Sequence, residues 1–179
     1  MKIISAFAYA AAVLGTTSAV VVRVARDATV AYNTRMCQSS TGTVPCNSMP
    51  QGQQIMVQSF KYKGDYERIL LGFDLPPVPL RTCILHIPAA MGGDEYNLTV
   101  SATDNNWEEA TVSGANKDIA GVQVAAVEWP ASAVDIKLAC DQATGNKLSL
   151  FVDTVVDDAV AFYSLQSGRN DVFMLQYGV

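Results

Sequence analysis

Residues 101–114 read "SATDNNWEEATVSG": a strand-like start, a polar turn carrying Trp107, Glu108 and Glu109, then a short β-like run. Two carboxylates beside an indole suit the acid and base of a glycosidase, and they suit equally the corner of a β-sandwich. In an extended segment consecutive side chains point to opposite faces. Glu108 and Glu109 then cannot flank one glycosidic bond, which requires carboxyls about 5 Å or more apart across a single cleft. The stretch reads as a corner, with Trp107 a packing anchor buried by the opposing sheet. One glutamate is expected to hold the turn through backbone or arginine hydrogen bonds.

Outward from that corner the chain alternates short β-type runs with turn clusters. "RDATVAY", "QIMVQSF", "RILLGFDL", "RTCILHIP", "YNLTVSAT", "ATVSG", "GVQVAAVEW", "AVDIKLAC", "KLSLFVDT", "AVAFYSL" and "VFMLQYGV" are rich in Val, Ile, Phe, Tyr and Thr, and several alternate apolar with polar residues. Between them stand Gly-, Pro-, Asn- and Asp-rich segments such as "AAMGGDE", "SGANKD" and "DQATGN". No stretch carries a capped 3.6-residue apolar period; "VDIKLACDQATGN" has room for one short helical turn after its strand. The spacing predicts an all-β sandwich or jelly roll.

The first nineteen residues have the layout of a signal peptide: Lys2, an apolar run from Ile3 to Leu14, and small residues ending at Ala19. The run is shorter than the roughly 20 residues that a membrane-spanning helix needs. Residues 20–179 are expected to form one secreted domain, extracellular or wall-associated, without membrane insertion. The formal charge is −5 over the whole chain, and removing Lys2 takes it to −6. An acidic chain without a Lys/Arg cluster disfavours nucleic acid, whose binding rests on phosphate neutralisation. Four cysteines in an exported chain argue for two disulfides, with three connectivities open. Cys37 and Cys46 flank a turn-rich segment, while Cys83 and Cys140 sit in strand-like runs; 37–46 with 83–140 is the favoured pairing. Asn97-Leu98-Thr99 is an N-glycosylation sequon.

Catalytic constellations are missing from the sequence. His86 stands in the strand-like "CILHIP" without an identifiable nucleophile and reads as a structural histidine. Neither GxSxG nor HExxH occurs. Binding features are better represented. "FKYKGDYER" places Tyr62, Tyr66 and Arg68, with Lys61 and Lys63, beside a glycine turn, where rings stack on sugar faces and cations donate to hydroxyls. Trp129, before a proline at a strand exit, is an alternative platform. Asp27, Asp157 and Asp158 are candidate oxygen ligands for a structural Ca²⁺.

The order "RDATV", "RILLGFDLP", "CILHIP", "NLTVSATDNNWEEATVSG", "VDIKLACDQA", "KLSLFVDT", "FYSLQSG" and "FMLQYG" resembles the DNRLRE domain, grouped with carbohydrate-binding module family 96. The likeness is to the small secreted versions of fungi and similar walled eukaryotes. It implies a β-jelly roll in a non-catalytic extracellular protein associated with polysaccharide. The matching positions are Asp27, Arg68, Phe73-Asp74-Leu75, Trp107, Glu109 and Asp135; Lys137 departs from the pattern, where a threonine is usual. Alginate-binding members are rich in basic residues, so this acidic chain points to a neutral wall glucan. Two rivals stay open: a structural or adhesive surface protein acting through protein contacts, and a lyase or hydrolase with an unrecognised site.

Overall fold

"RILLGF" (68–73) carries consecutive apolar residues instead of alternating ones, a pattern that requires cover on both faces of its strand. The computed structural model supplies that cover. It describes residues 19–179 except Thr34, Val156 and Asp158; of the expected leader, residues 1–19, all but Ala19 lie outside the described residues, as does the ligand candidate Asp158. In chain order the strands are β1 (Ala19–Arg23), β2 (Arg26–Ala31), β3 (Met36–Ser39), β4 (Gly42–Pro45), β5 (Met56–Tyr62), β6 (Asp65–Asp74), β7 (Thr82–His86), β8 (Asn97–Thr103), β9 (Val122–Glu128), β10 (Ala133–Asp135), β11 (Lys147–Thr154), β12 (Ala159–Tyr163) and β13 (Met174–Gly178). The one α-helix among the described residues, α1 (Lys137–Gln142), follows β10.

Four strands form a small antiparallel sheet in the order β1-β13-β7-β10, and seven form a large one, β12-β5-β6-β11-β8-β9, with β2 also paired to β6. The protein is an all-β sandwich. Ile69, Leu71 and Phe73 of β6 and Leu148, Leu150 and Val152 of β11 meet Leu85 of β7 and Leu175 and Tyr177 of β13 in the core between the sheets. Leu70 and Phe151 point the other way. They join Ala28, Val30, Trp107 and Val112 in a second apolar cluster on the outer face of the large sheet. Segment 104–121, without a strand of its own, lies over that face and closes it.

The corner reading holds for Trp107 as an anchor and differs in what buries it. The ring is 6% exposed, beneath the 104–121 segment and not between the two sheets. It lies against Gly72, where a Cβ would come within 3.0 Å of the indole. Its Nε1–H donates to Ser149 Oγ at 2.9 Å, and that hydroxyl donates to Asn105 Oδ1 at 2.7 Å. The Arg26 guanidinium stacks 4.2 Å from the ring centroid and donates to the Trp107 carbonyl at 2.5 Å. Glu109 holds the turn as expected, its Oε1 accepting from the Asp27 backbone N–H at 2.8 Å.

"ATVSG", expected as a strand, forms turns in which Thr111 and Val112 N–H donate to the Glu108 carbonyl. Asn116 fixes them by accepting from Ser113 N–H and donating to the Thr111 carbonyl. The apolar residues of this segment therefore serve a cap, not a ladder. Both disulfides join as favoured, with Cα separations of 4.9 Å for Cys37–Cys46 and 6.5 Å for Cys83–Cys140. The first spans a β3–β4 ribbon inside the segment read as turns. The second ties β7 to α1, so Cys140 belongs to the short helix and not to a strand.

Removing the Trp107 ring strips the cap of its anchor. Trp107→Ala is expected to cost about 3–5 kcal/mol, measured by denaturant unfolding. Gly114→Ala should loosen the same cap from its far side, since a Cβ there would sit 1.9 Å from the Ala31 carbonyl oxygen.

Candidate functional site: a cleft on the outer face of the large sheet

Alternation along β6 places Tyr66, Arg68 and Leu70 on the outer face, and the pairing of β11 with β6 and β8 brings Asp153 beside Arg68 and opposite Thr99. Arg68 Nε and Nη2 donate to the two Asp153 oxygens at 2.7 and 2.6 Å, a bidentate pair. Its Nη1 donates to the Ile119 carbonyl at 2.6 Å. Beneath it, the Phe151 ring centroid lies 3.8 Å from the guanidinium carbon. Three of the five guanidinium N–H donors are thus engaged, which fixes the side chain while leaving its remaining donors to a ligand.

A cleft of about 400 Å³ opens here, walled by Tyr66 and Lys61 on one side and by Thr99, Asp153, Ile119 and Val155 on the other. Tyr66 is held by stacking on Tyr32, with centroids 5.3 Å apart and planes 20° from parallel. Burial pushes the Tyr32 phenol well above its usual range, so that ring stays neutral at any physiological pH. Lys61 is exposed at the rim and makes no ion pair among the described residues. The arrangement joins a fixed ring, apolar wall atoms, a hydroxyl and an oriented carboxylate–guanidinium pair.

Lys117, at the near end of the cap, is 3% exposed. Its ammonium donates to Asp104 Oδ2 at 2.5 Å and to the Asp104 carbonyl at 3.0 Å. Partial burial works against the Asp104 charge, but the Lys117 bond and the Asn106 N–H outweigh it and hold that carboxyl below its ordinary range.

The structure brings Tyr66 and Arg68 together and separates both from Tyr62. Lys61 lies opposite Tyr66 and Tyr62 opposite Asp65, so the two tyrosines project from opposite faces of the hairpin. Trp129 stands at the end of β9, in a different hollow with Tyr96 and Asn97. His86 is paired through Nε2 with Gln176 Oε1 at 2.9 Å, a structural role. Of the calcium candidates, Asp27 is fully buried and Asp157 is exposed. Among the described residues no group of three or more His, Cys, Asp or Glu side chains is placed to hold an ion. Sequence reasoning missed Asp153, Thr99 and Ile119; only the strand register and the path of the cap carry them to the site.

Among the described residues no helix is long and apolar enough to cross a membrane. In comparisons with known proteins, no family model and no curated protein matches the chain.

Asp27 supplies a test of the site's foundation. Its Oδ2 accepts from the Leu165 N–H at 2.8 Å, while Oδ1 is buried with no partner among the described residues. Burial, with Glu109 nearby, pushes its pKa up to about 7 against the pull of the Leu165 bond. The folded chain thus holds a proton that the unfolded chain releases near pH 4. Stability from this residue is full below that pH and is lost as pH rises through 7. Asp27→Asn is expected to be the more stable form at pH 8, by on the order of a few kcal/mol, and to lose its advantage below pH 4, as read by denaturation across that range. If calcium neutralises this carboxylate instead, added Ca²⁺ will raise the wild-type melting temperature at pH 8 and leave the asparagine variant unmoved.

Proposed function

We propose that this protein is a secreted, non-catalytic domain that binds a neutral wall or surface polysaccharide in the outer-face cleft. The observation that carries the reading is the convergence of the Tyr66 ring with the Arg68–Asp153 pair. Pyranose rings offer an apolar C–H face to an aromatic ring and vicinal hydroxyls to a bidentate donor–acceptor pair. The cleft supplies both on a sheet whose backbone does not have to move, so little ordering cost accompanies binding. The resemblance of the segment order to DNRLRE domains supports the same class of ligand.

Charge favours a neutral glycan. The chain is acidic overall, and Asp153 compensates Arg68 inside the cleft, leaving Lys61 as its one uncompensated cation among the described residues. A polyuronate would meet the Asp153 carboxylate without a surplus of positive charge. Glu108 and Glu109 do not serve hydrolysis in this reading, because Glu109 is committed to the Asp27 backbone in the cap. Two disulfides suit an oxidising, extracellular setting.

Pull-down on insoluble β-glucan, chitin and alginate beads tests the proposal. Retention on the glucan is expected, with little on alginate. Tyr66→Ala should weaken retention by about 3–10-fold, the loss of one stacking contact, while Tyr62→Ala, on the opposite face, leaves it unchanged. Equal losses from both variants, or retention on none of the three supports, overturn the assignment.

A further inference from the structure

We infer that an N-linked glycan on Asn97 lies over the mouth of the Tyr66–Arg68 cleft and competes there with external polysaccharide. The sequon Asn97-Leu98-Thr99 opens β8. Leu98 is buried in the core, so Asn97 and Thr99 project together from the outer face of the large sheet. Thr99 is itself a wall residue of the cleft and stands opposite Asp153, the partner of Arg68. Asn97 is exposed one pleat repeat away, about 7 Å by strand rise. On its β11 side lies Val155, another wall residue, whose backbone N–H donates to the Asn97 carbonyl at 2.9 Å. The cap covers Phe151, which is opposite Ser101, so along β8 it lies beyond Thr99; Asn97 stands at the end the cap leaves open.

The modification draws on the lipid-linked oligosaccharide diphosphate of a eukaryotic secretory pathway. Asn97 Nδ2 bonds to the anomeric carbon of the first sugar and loses one proton, and the lipid diphosphate leaves. The sugars nearest the asparagine are neutral N-acetylglucosamines, pyranoses of the kind the cleft suits: an apolar face for Tyr66, hydroxyls for the Arg68–Asp153 pair. Val155 and Ile119 are 48% and 46% exposed, apolar side chains on the cleft wall that an N-acetyl methyl covers. On the other side of Asn97, in register on β9, stands the exposed Glu128, which offers no such apolar surface. A short tether gives the attached sugars an effective concentration in the millimolar range, so they hold the cleft against a free chain whose single-sugar contacts are weak. The competition rests on the polysaccharide reading of the cleft; the position of the glycan does not.

Two readouts separate position from competition. In the full chain secreted from a glycosylating eukaryotic host, mass spectrometry is expected to find Asn97 occupied. Lys61, exposed on the cleft rim, then reports the glycan's place through its rate of acylation, read by peptide mass spectrometry. Lys63 is the control, since its ammonium lies 4.9 Å from the ring of Tyr62, on the opposite face of the hairpin. Releasing the glycan enzymatically from the folded protein, or making Asn97→Gln, should speed Lys61 acylation about twofold or more and leave Lys63 unchanged. The same treatments should raise retention on insoluble β-glucan about 2–10-fold, the range set by a millimolar effective concentration against weak sugar contacts. An unoccupied Asn97, or Lys61 acylation that is the same with and without the glycan, overturns the inference. Protection of Lys61 with equal retention of both forms overturns the competition. Protection of Lys61 with no retention of either form on any support sinks the polysaccharide reading and leaves the glycan's place standing.

Discussion

Trp107 lies on the bare backbone of Gly72 and donates its indole N–H to Ser149, and through this contact segment 104–121 becomes a third layer of the protein. Without that layer Leu70 and Phe151 would face water from the middle of the large sheet. With it, β6 and β11 are buried on both sides, and their sequences lose the alternation of a strand with one wet face. The layer stops at Ile119, whose carbonyl accepts the last bond from Arg68. The cleft is therefore the border between the covered and uncovered parts of one face. Its depth comes from the thickness of the cap and not from a fold in the sheet.

The same layer decides how charge is handled. Arg26 lies over Trp107, and Arg68 lies over Phe151 with the Lys117 ammonium 5.7 Å from the same ring. Each of the three cations also bonds to an oxygen of the cap or of β11: the Trp107 carbonyl, Asp153 and the Ile119 carbonyl, or Asp104. The cap is thus fastened by cations that span from aromatic rings to acceptors, an arrangement in which desolvation is offset at both ends. Asp27 has no such cation among the described residues. It faces Glu109, and a proton takes the place of the missing counter-ion.

How much of this was legible in the sequence follows from which forces are local. The sandwich strands showed themselves through Val, Ile, Phe and Thr in short runs, and both disulfides through the context of their cysteines. The β3–β4 ribbon was read as turns because "QSSTGTVP" holds little apolar surface; its pairing is a two-stranded affair stapled by Cys37–Cys46. "ATVSG" has strand-like composition but spends it on a cap, since Val112 finds its partners across the sheet face. The site was half legible. Tyr66 and Arg68 stand two residues apart on one strand, so period 2 predicts their common face. The same rule applied to the hairpin register separates Tyr62 from them. Asp153 is eighty-five residues from Arg68 in the chain, and no local pattern joins the two.

The pairing of β1 with β13 sets Val20 opposite Tyr177, and its consequence is temporal. Along a ribosome-borne chain the β5–β6 hairpin can close soon after it emerges, and β2 can join it, because their partners are near in sequence. The small sheet closes later: β7 can pair with β10 on one edge, but its other edge waits for β13, and β1 waits for β13 too. High contact order of this kind slows folding, since loop closure precedes the contacts that reward it. Through most of synthesis the inner face of β6, with Ile69, Leu71 and Phe73, therefore lacks the opposing strand β13. β13 is the strand that joins β1 to β7 and shuts the core, so a chain in which β13 has not yet emerged exposes apolar surface that the folded domain never shows.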